Sequence, residues 1–358
     1  MSDHSNIRQF GLFKQPASGV LWLRRIIGKC FRTLKQKLDF ALSPNLSVYE
    51  TTPELNECDD LPKTVINACN LCESEEREIL YQKLMGEHEY SAVICTNCGN
   101  IYLDKMAHEE WTESDGKHGG KFGDEVELTA DYVEKQFTKY YEFAQLAIPF
   151  LEQYTGSIEK KSVLDLGCGP GGFVKAYADR GAVVTGLEAS GYFAEFATKT
   201  KSLNIVKGGI EQLEQGRQYD LVSGIRYLNH FADPKALLEH IYPHIADGGY
   251  LFLELKDSAH DIRRKGPWDA IKPDHPVMFT EYSLASYLLT CGFEPLVIHK
   301  DLDGSHKFGT MNHLHCVAKK SGNEPGTVSY KNVYEKNKSA YLLAVSQFLH
   351  YKSIGIRS

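Results

Sequence analysis

Apolar residues recur at two different periods along this chain. Between positions 162 and 318, short apolar runs alternate with stretches spaced by three and four. The short runs predict strands at 162–166, 183–187, 205–206, 219–225, 250–255, 294–299 and 313–318. The spaced stretches predict helices at 172–180, 192–200, 234–245 and 283–291. A longer helix is expected at 129–154, with Tyr132, Val133, Phe137, Tyr140, Ala144 and Ile148 along one side. Strands and helices that alternate in this way build a doubly wound α/β sheet.

The flanks read differently. At 19–42, Leu23, Ile26, Ile27, Cys30, Leu34 and Leu38 keep helical spacing while Arg24, Arg25, Lys29, Arg32, Lys35 and Lys37 take the other positions. This predicts a basic amphipathic helix, ended by Ser43-Pro44-Asn45. A final amphipathic helix is expected at 330–351. The pattern divides the chain into a helix and linker (1–64), a cysteine-bearing unit (65–105), a Gly-rich mobile loop (106–128), an α/β domain (129–320) and a linker with a C-terminal helix (321–358).

One turn carries the chemistry of the α/β domain. Val163-Leu164-Asp165-Leu166-Gly167-Cys168-Gly169-Pro170-Gly171-Gly172 leaves a strand and opens a helix, the setting of a nucleotide-binding turn. Gly167, Gly169 and Gly171 let the backbone approach a ligand. A dinucleotide fold is the rival reading, but it must cradle a pyrophosphate, which Asp165 would repel. The ammonium and sulfonium of S-adenosylmethionine (SAM) would instead be attracted. Glu188 ends the next strand, about 20 residues on, where a carboxylate accepts both ribose hydroxyls.

With these residues the chain resembles the class I SAM-dependent methyltransferases over roughly residues 129–320. The resemblance implies a seven-stranded Rossmann-like sheet, and it implies that the segment holding Gly209 and Ile210 flanks the adenine. Gly209 stands where many relatives carry Asp. Asp274-His275-Pro276-Val277-Met278-Phe279-Thr280 and Gly292-Phe293 are similar to bacterial sugar methyltransferases, including C-methyltransferases of deoxysugar nucleotides, that carry an N-terminal zinc-binding segment. Those enzymes usually continue into a further C-terminal domain.

Cys69-Asn70-Leu71-Cys72 and Cys95-Thr96-Asn97-Cys98 form two knuckles, the spacing of a zinc ribbon. Four thiolates close a tetrahedron and leave no position for a water, so the expected Zn²⁺ is structural. Cys168, Cys291 and Cys316 fall in predicted core elements and read as packing residues. Nine cysteines, an odd number with four in C-x-x-C pairs, point to a reducing, cytoplasmic setting.

Residues just after the fourth strand should face the SAM pocket. There the chain reads Arg226-Tyr227-Leu228-Asn229-His230. In the similar sugar enzymes this place carries a Tyr followed, three residues later, by a His that acts in proton transfer, which implies that Tyr227 lies beside the acceptor and His230 acts as general base. His275, on the loop expected to cover the substrate, is the second candidate, with Asp274 beside it. Each has a plainer reading as a loop residue in a structural hydrogen bond.

Charge narrows the partners. Residues 1–40 hold eight Lys and Arg against two Asp, an excess of +6, which leaves −13 on the remainder of a chain of net charge −7. Such a body disfavours nucleic acid. The expected acceptor is a small glycan or nucleotide-linked sugar, methylated at oxygen or carbon. An RNA methyltransferase with an RNA-gripping ribbon and a non-catalytic scaffold protein are the alternatives. The basic helix at 19–42 either lies on an anionic inner membrane surface or docks on the C-terminal tail or a second copy in a homodimer.

Overall fold

The computed structural model describes residues 63–85, 88–107, 129–271, 275–300, 313–321, 330 and 332–353. All lie in one unit of the chain, Glu50–Ser358. The helix expected at 19–42, the linker to residue 62, nearly all of the loop at 106–128 and Asp274 fall outside the described residues. Among the described residues no helix is long and apolar enough to cross a membrane.

The described chain opens with β1 (Lys63–Val65), β2 (Arg77–Met85), β3 (His88–Cys95), β4 (Ile101–Leu103) and β5 (Lys105–Ala107). Helix α1 (Ala130–Thr155) follows. It starts where the Thr129 hydroxyl accepts from the Tyr132 amide at 3.2 Å, an N-cap that satisfies one orphan donor of the first turn. Then come β6 (Ser162–Leu166), α2 (Gly172–Asp179), β7 (Val183–Glu188), α3 (Gly191–Lys199), β8 (Ile205–Lys207), β9 (Tyr219–Ile225), α4 (Pro234–Ile241) and β10 (Ile245–Lys256). The rest is α5 (Ser258–Lys265), α6 (Pro267–Ala270), β11 (Val277–Met278), α7 (Glu281–Thr290), β12 (Phe293–Lys300), β13 (His313–Lys320) and α8 (Val333–Ser353).

Seven strands form the large sheet in the order β12-β13-β10-β9-β6-β7-β8. All its pairings are parallel except those of β13, which runs antiparallel to β10 and β12. Strand order reverses between β6 and β9, the switch point where open α/β sheets bind ligands beyond their carboxyl ends. The expected doubly wound Rossmann-like sheet is therefore present. The helix expected at 234–245 stops at Ile241, and residues Tyr242–His244 form a 3-10 turn. Pro243 has no N–H for the helical ladder, and β10 begins five residues before the expected strand.

The cysteine-bearing segment does not stand alone. Its strands join a four-stranded antiparallel sheet in the order β11-β4-β3-β2. Strand β11 comes from far downstream and pairs Val277 with Tyr102 and Met278 with Ile101. Side chains alternate across β3 with period two. Val93 and Cys95 enter the core shared with Leu253, Phe279 and Tyr287. Tyr90, Ala92 and Ile94 face Ile262 of α5 and Tyr341 of α8. Both faces are thus buried, and each fully buried Ile or Leu contributes roughly 1.5–3 kcal/mol. On the other face of the large sheet, α1 and α2 pack Phe143, Ile148, Phe173 and Tyr177 against Val163, Leu221 and Phe252.

Candidate active site

The Gly-rich turn leaves β6 at the switch point. Gly167 and Gly169 have φ of 60° and 55°, the left-handed region that favours glycine. A Cβ on Gly167 would lie 2.4 Å from the Tyr227 ring, so that ring rests directly on the turn. A Cβ on Gly169 would meet nothing within 4 Å among the described residues, which leave open space over the turn.

Two acids brace this turn from below and beside it. Asp165 is buried at 2% exposure, and its Oδ1 accepts from the Ser223 hydroxyl of β9 at 2.6 Å, across the switch point. Burial pushes its carboxyl up to about 7. A cation bound above would favour the charged form. Glu188, at the end of β7, accepts from the Gly169 amide and the Ser190 amide, both at 2.7 Å. Burial raises its carboxyl, against the pull of these two amides. A carboxylate offers about four acceptor sites, so two remain for ribose hydroxyls.

The segment expected at the adenine lies next to Glu188, whose carbonyl accepts from Gly208 N at 2.9 Å. Gly209 donates its amide to Glu211 Oε1 at 2.9 Å, and Ile210 packs against the core. The Glu211 carboxylate folds back over Gly209 so closely that a Cβ there would lie 2.4 Å from Oε2. An acid two residues downstream therefore stands over Gly209, the position at which the resemblance implies an Asp. The signal for it was Glu211 itself, one of few acids beside the turn.

The chemistry-bearing turn follows β9. Arg226 has φ of 55°, and its amide donates to the Glu254 carbonyl at 2.8 Å. Residues Leu228–His230 form a 3-10 turn, and Tyr227 packs on Phe231 with ring centroids 4.8 Å apart. Asn229 points into the interior at 3% exposure, and its amide has no hydrogen-bond partner among the described residues. The His230 and His275 rings lie 4.8 Å apart, centroid to centroid. His275 is buried, with Nε2 at 3.4 Å from Lys256 Nζ. The two imidazoles named as candidates from separate parts of the sequence therefore meet at the carboxyl edge of β9 and β10.

Beside them lies a buried polar group that the sequence did not reveal. Glu254 is fully buried on β10, where an ion pair places its Oε1 3.6 Å from Arg226 Nε and a second joins it to His313 Nδ1. Burial pushes the Glu254 carboxyl up, but the charges of His313 and Arg226 outweigh it and hold it at about 2. Reading the sequence strand by strand could not see this, since the three residues come from β10, β13 and the turn after β9.

The four cysteines Cys69, Cys72, Cys95 and Cys98 bring their sulfurs within 4.8 Å of one another. Cys69 and Cys98 are 3.5 Å apart, as are Cys72 and Cys95. A tetrahedral zinc with 2.3 Å bonds needs sulfur–sulfur edges of about 3.8 Å, so the cluster fits such an ion. Each knuckle is closed by backbone bonds, Glu73 N to Cys69 O at 2.7 Å and Gly99 N to Cys95 O at 2.8 Å. Cys168, Cys291 and Cys316 are buried free thiols in the core, as packing residues should be. Burial pushes the Cys291 thiol up to about 12.

A seven-stranded sheet with one antiparallel strand, a glycine turn at its switch point and acids toward the ends of its first two strands is the arrangement that the resemblance to class I SAM-dependent methyltransferases implies. In agreement, residues 135–298 match the family model described as a methyltransferase domain. The chain is 29% identical over 128 residues to a ubiquinone biosynthesis O-methyltransferase of Nitrosomonas europaea, a match covering 33% of this chain and 53% of that relative. It is 31% identical over 128 residues to the enzyme of the same name from Idiomarina loihiensis, covering 33% and 51%. The chain thus spans about half the length of these relatives. Among solved structures it is similar to a SAM-dependent methyltransferase of Mesorhizobium loti, with 16% identity, TM-score 0.41, and 49% of this chain and 97% of that one covered. It is also similar to the magnesium protoporphyrin IX methyltransferase of Synechocystis with bound SAM, at 17% identity, TM-score 0.39, with 60% and 94% covered.

Proposed function

We propose that this protein transfers the methyl group of SAM to a hydroxyl of a small polar acceptor, a glycan or nucleotide-linked sugar, with His230 as general base. The observation that carries the reading is the meeting of His230 and His275 at 4.8 Å beside Tyr227, whose ring rests on Gly167. The Gly167–Gly171 turn, Glu188, Gly209 and Ile210 would hold SAM, with the Glu188 carboxylate free to accept from its ribose hydroxyls. SAM supplies an electrophilic methyl when bound. His230 takes the acceptor proton, and imidazole suits this task near neutral pH. Tyr227 hydrogen-bonds the acceptor oxygen. His275, with Nε2 within reach of Lys256 Nζ, holds the His230 ring in place.

Oxygen is favoured over carbon as the accepting atom because the relatives named above are O-methyltransferases. Their similarity also supports a second reading, a phenolic hydroxyl on a quinone precursor. The Cys69, Cys72, Cys95 and Cys98 cluster holds one structural zinc. The test is incubation with methyl-labelled SAM and a panel of nucleotide sugars, glycolipid extracts and catechols. Label in a sugar fraction supports the first reading and label in a catechol the second. Label in neither, with SAM bound, rejects both acceptor classes.

A further inference from the structure

The first cysteine knuckle is hydrogen-bonded to the turn that carries His230. Asn70 lies between Cys69 and Cys72, and its Nδ2 donates to the carbonyl of Ala232, two residues beyond His230. Its Oδ1 accepts from the Tyr287 hydroxyl at 2.8 Å and from Asn100 Nδ2 at 3.3 Å. Asn100 Nδ2 also lies 2.9 Å from the Tyr287 hydroxyl and 3.7 Å from Cys69 Sγ. Asn100 and Tyr287 have no exposed surface.

The donors and acceptors fix the orientation. Tyr287 has one hydroxyl proton, which goes to Asn70 Oδ1, so its lone pair receives Asn100. Turning the Asn70 amide over would set its NH₂ against that of Asn100 and an oxygen against the Ala232 carbonyl. Asn100, beside the second knuckle, and Tyr287 of α7 thus hold the Asn70 amide, and that amide holds the far end of the His230 turn. The near end is held by Arg226 N on the Glu254 carbonyl at 2.8 Å. Between these two ties the turn also buries the Asn229 amide without a partner, so its conformation is imposed from outside.

We infer that Asn70 is a positioning residue through which the Cys₄ centre sets the place of the His230 imidazole. The inference rests on the reading of His230 as the base for its catalytic meaning. The mechanical link does not depend on it. Disturbing the knuckle then moves the base and leaves the SAM contacts on Gly169 and Glu188 alone, because those lie on the turn after β6 and at the end of β7.

The test uses the full chain loaded with zinc and ¹³C-labelled histidine, with the His230 resonance assigned from His230→Gln. Asn70→Asp keeps the two acceptor bonds and removes the donor to Ala232. It should retain one zinc per chain by elemental analysis and keep the SAM dissociation constant within about twofold, yet displace the His230 Cε1 signal and its titration midpoint. With the labelled acceptor in hand, kcat should fall roughly 10–100-fold at unchanged SAM KM. Tyr287→Phe, which removes the hydroxyl that fixes Asn70, is the second arm and should displace the same signal less. It decides the matter if Asn70→Asp sheds zinc. An unmoved His230 signal and midpoint in the zinc-loaded variants overturns the inference. Failure of wild type to bind SAM overturns the proposed function instead, and the histidine signal reports the link either way.

Discussion

The glycine turn and the cysteine knuckles are both tight backbone loops that gather ligand-binding groups, but they differ in what surrounds them. The turn opens onto free space over Gly169 and is braced by two acids from its own and the neighbouring strand. The knuckles are closed on themselves, with three of four thiols buried, and are tied by Asn70, Asn100 and Tyr287 to the domain beneath. One loop is built to receive a molecule and the other to hold a shape. The comparison teaches that a cysteine-bearing unit ahead of an α/β domain can be built into that domain, since β11 and α7 complete its sheet and core.

The largest effect should come from breaking the closed loop. Cys95→Ser removes one of four thiolates, and closed thiolate zinc sites couple binding to folding by about 10–16 kcal/mol in small peptides. The variant should lose zinc and melt the sheet of β2, β3, β4 and β11, read by elemental analysis and by amide exchange in residues 88–103. Full protection of those amides without metal would mean that the sheet stands on its packing alone.

The open loop should respond through chemistry rather than fold. His230→Ala removes the proposed base and should lower kcat about 10²–10⁴-fold with SAM affinity unchanged, while the acidic limb of the pH–rate profile disappears. Full turnover in His230→Ala together with none in His275→Ala would move the base to the covering loop.

These regions also differed in how much the sequence disclosed. Asp165, the glycines and Glu188 lie on one strand–turn–helix and its neighbour, so local order and polarity reveal them. The four cysteines were legible from spacing for the same reason. Nothing local announced that Val277 and Met278 would extend the cysteine sheet, or that Asn70 would reach Ala232, because such pairings join residues more than 150 positions apart. Helix α5 escaped the periodicity reading because only Ala259 and Ile262 mark its apolar side. Glu211 and the Arg226–Glu254–His313 group escaped because their meaning lies in which side chains face each other.

A smaller effect sharpens the role of Asp165. Its carboxyl sits at about 7 in the fold against 3.8 for an ordinary Asp. Between these values the folded chain binds a proton that the unfolded chain has released, so without ligand stability rises as pH falls through this window and is lowest above 7. Asp165→Asn should therefore raise the stability of the free protein by about 2–4 kcal/mol at pH 8 and by little at pH 4. Denaturant unfolding at the two pH values checks this. Equal gains at both would assign the effect to packing.

The most direct test of a SAM site on the open loop is calorimetric titration of SAM into wild type and Glu188→Ala. Wild type should bind one SAM per chain. The variant, having lost charge-assisted hydrogen bonds of roughly 1.5–3 kcal/mol each, should bind about 10–100-fold more weakly with its fold intact. Equal affinity in the two proteins, or no binding to wild type, would contradict the account.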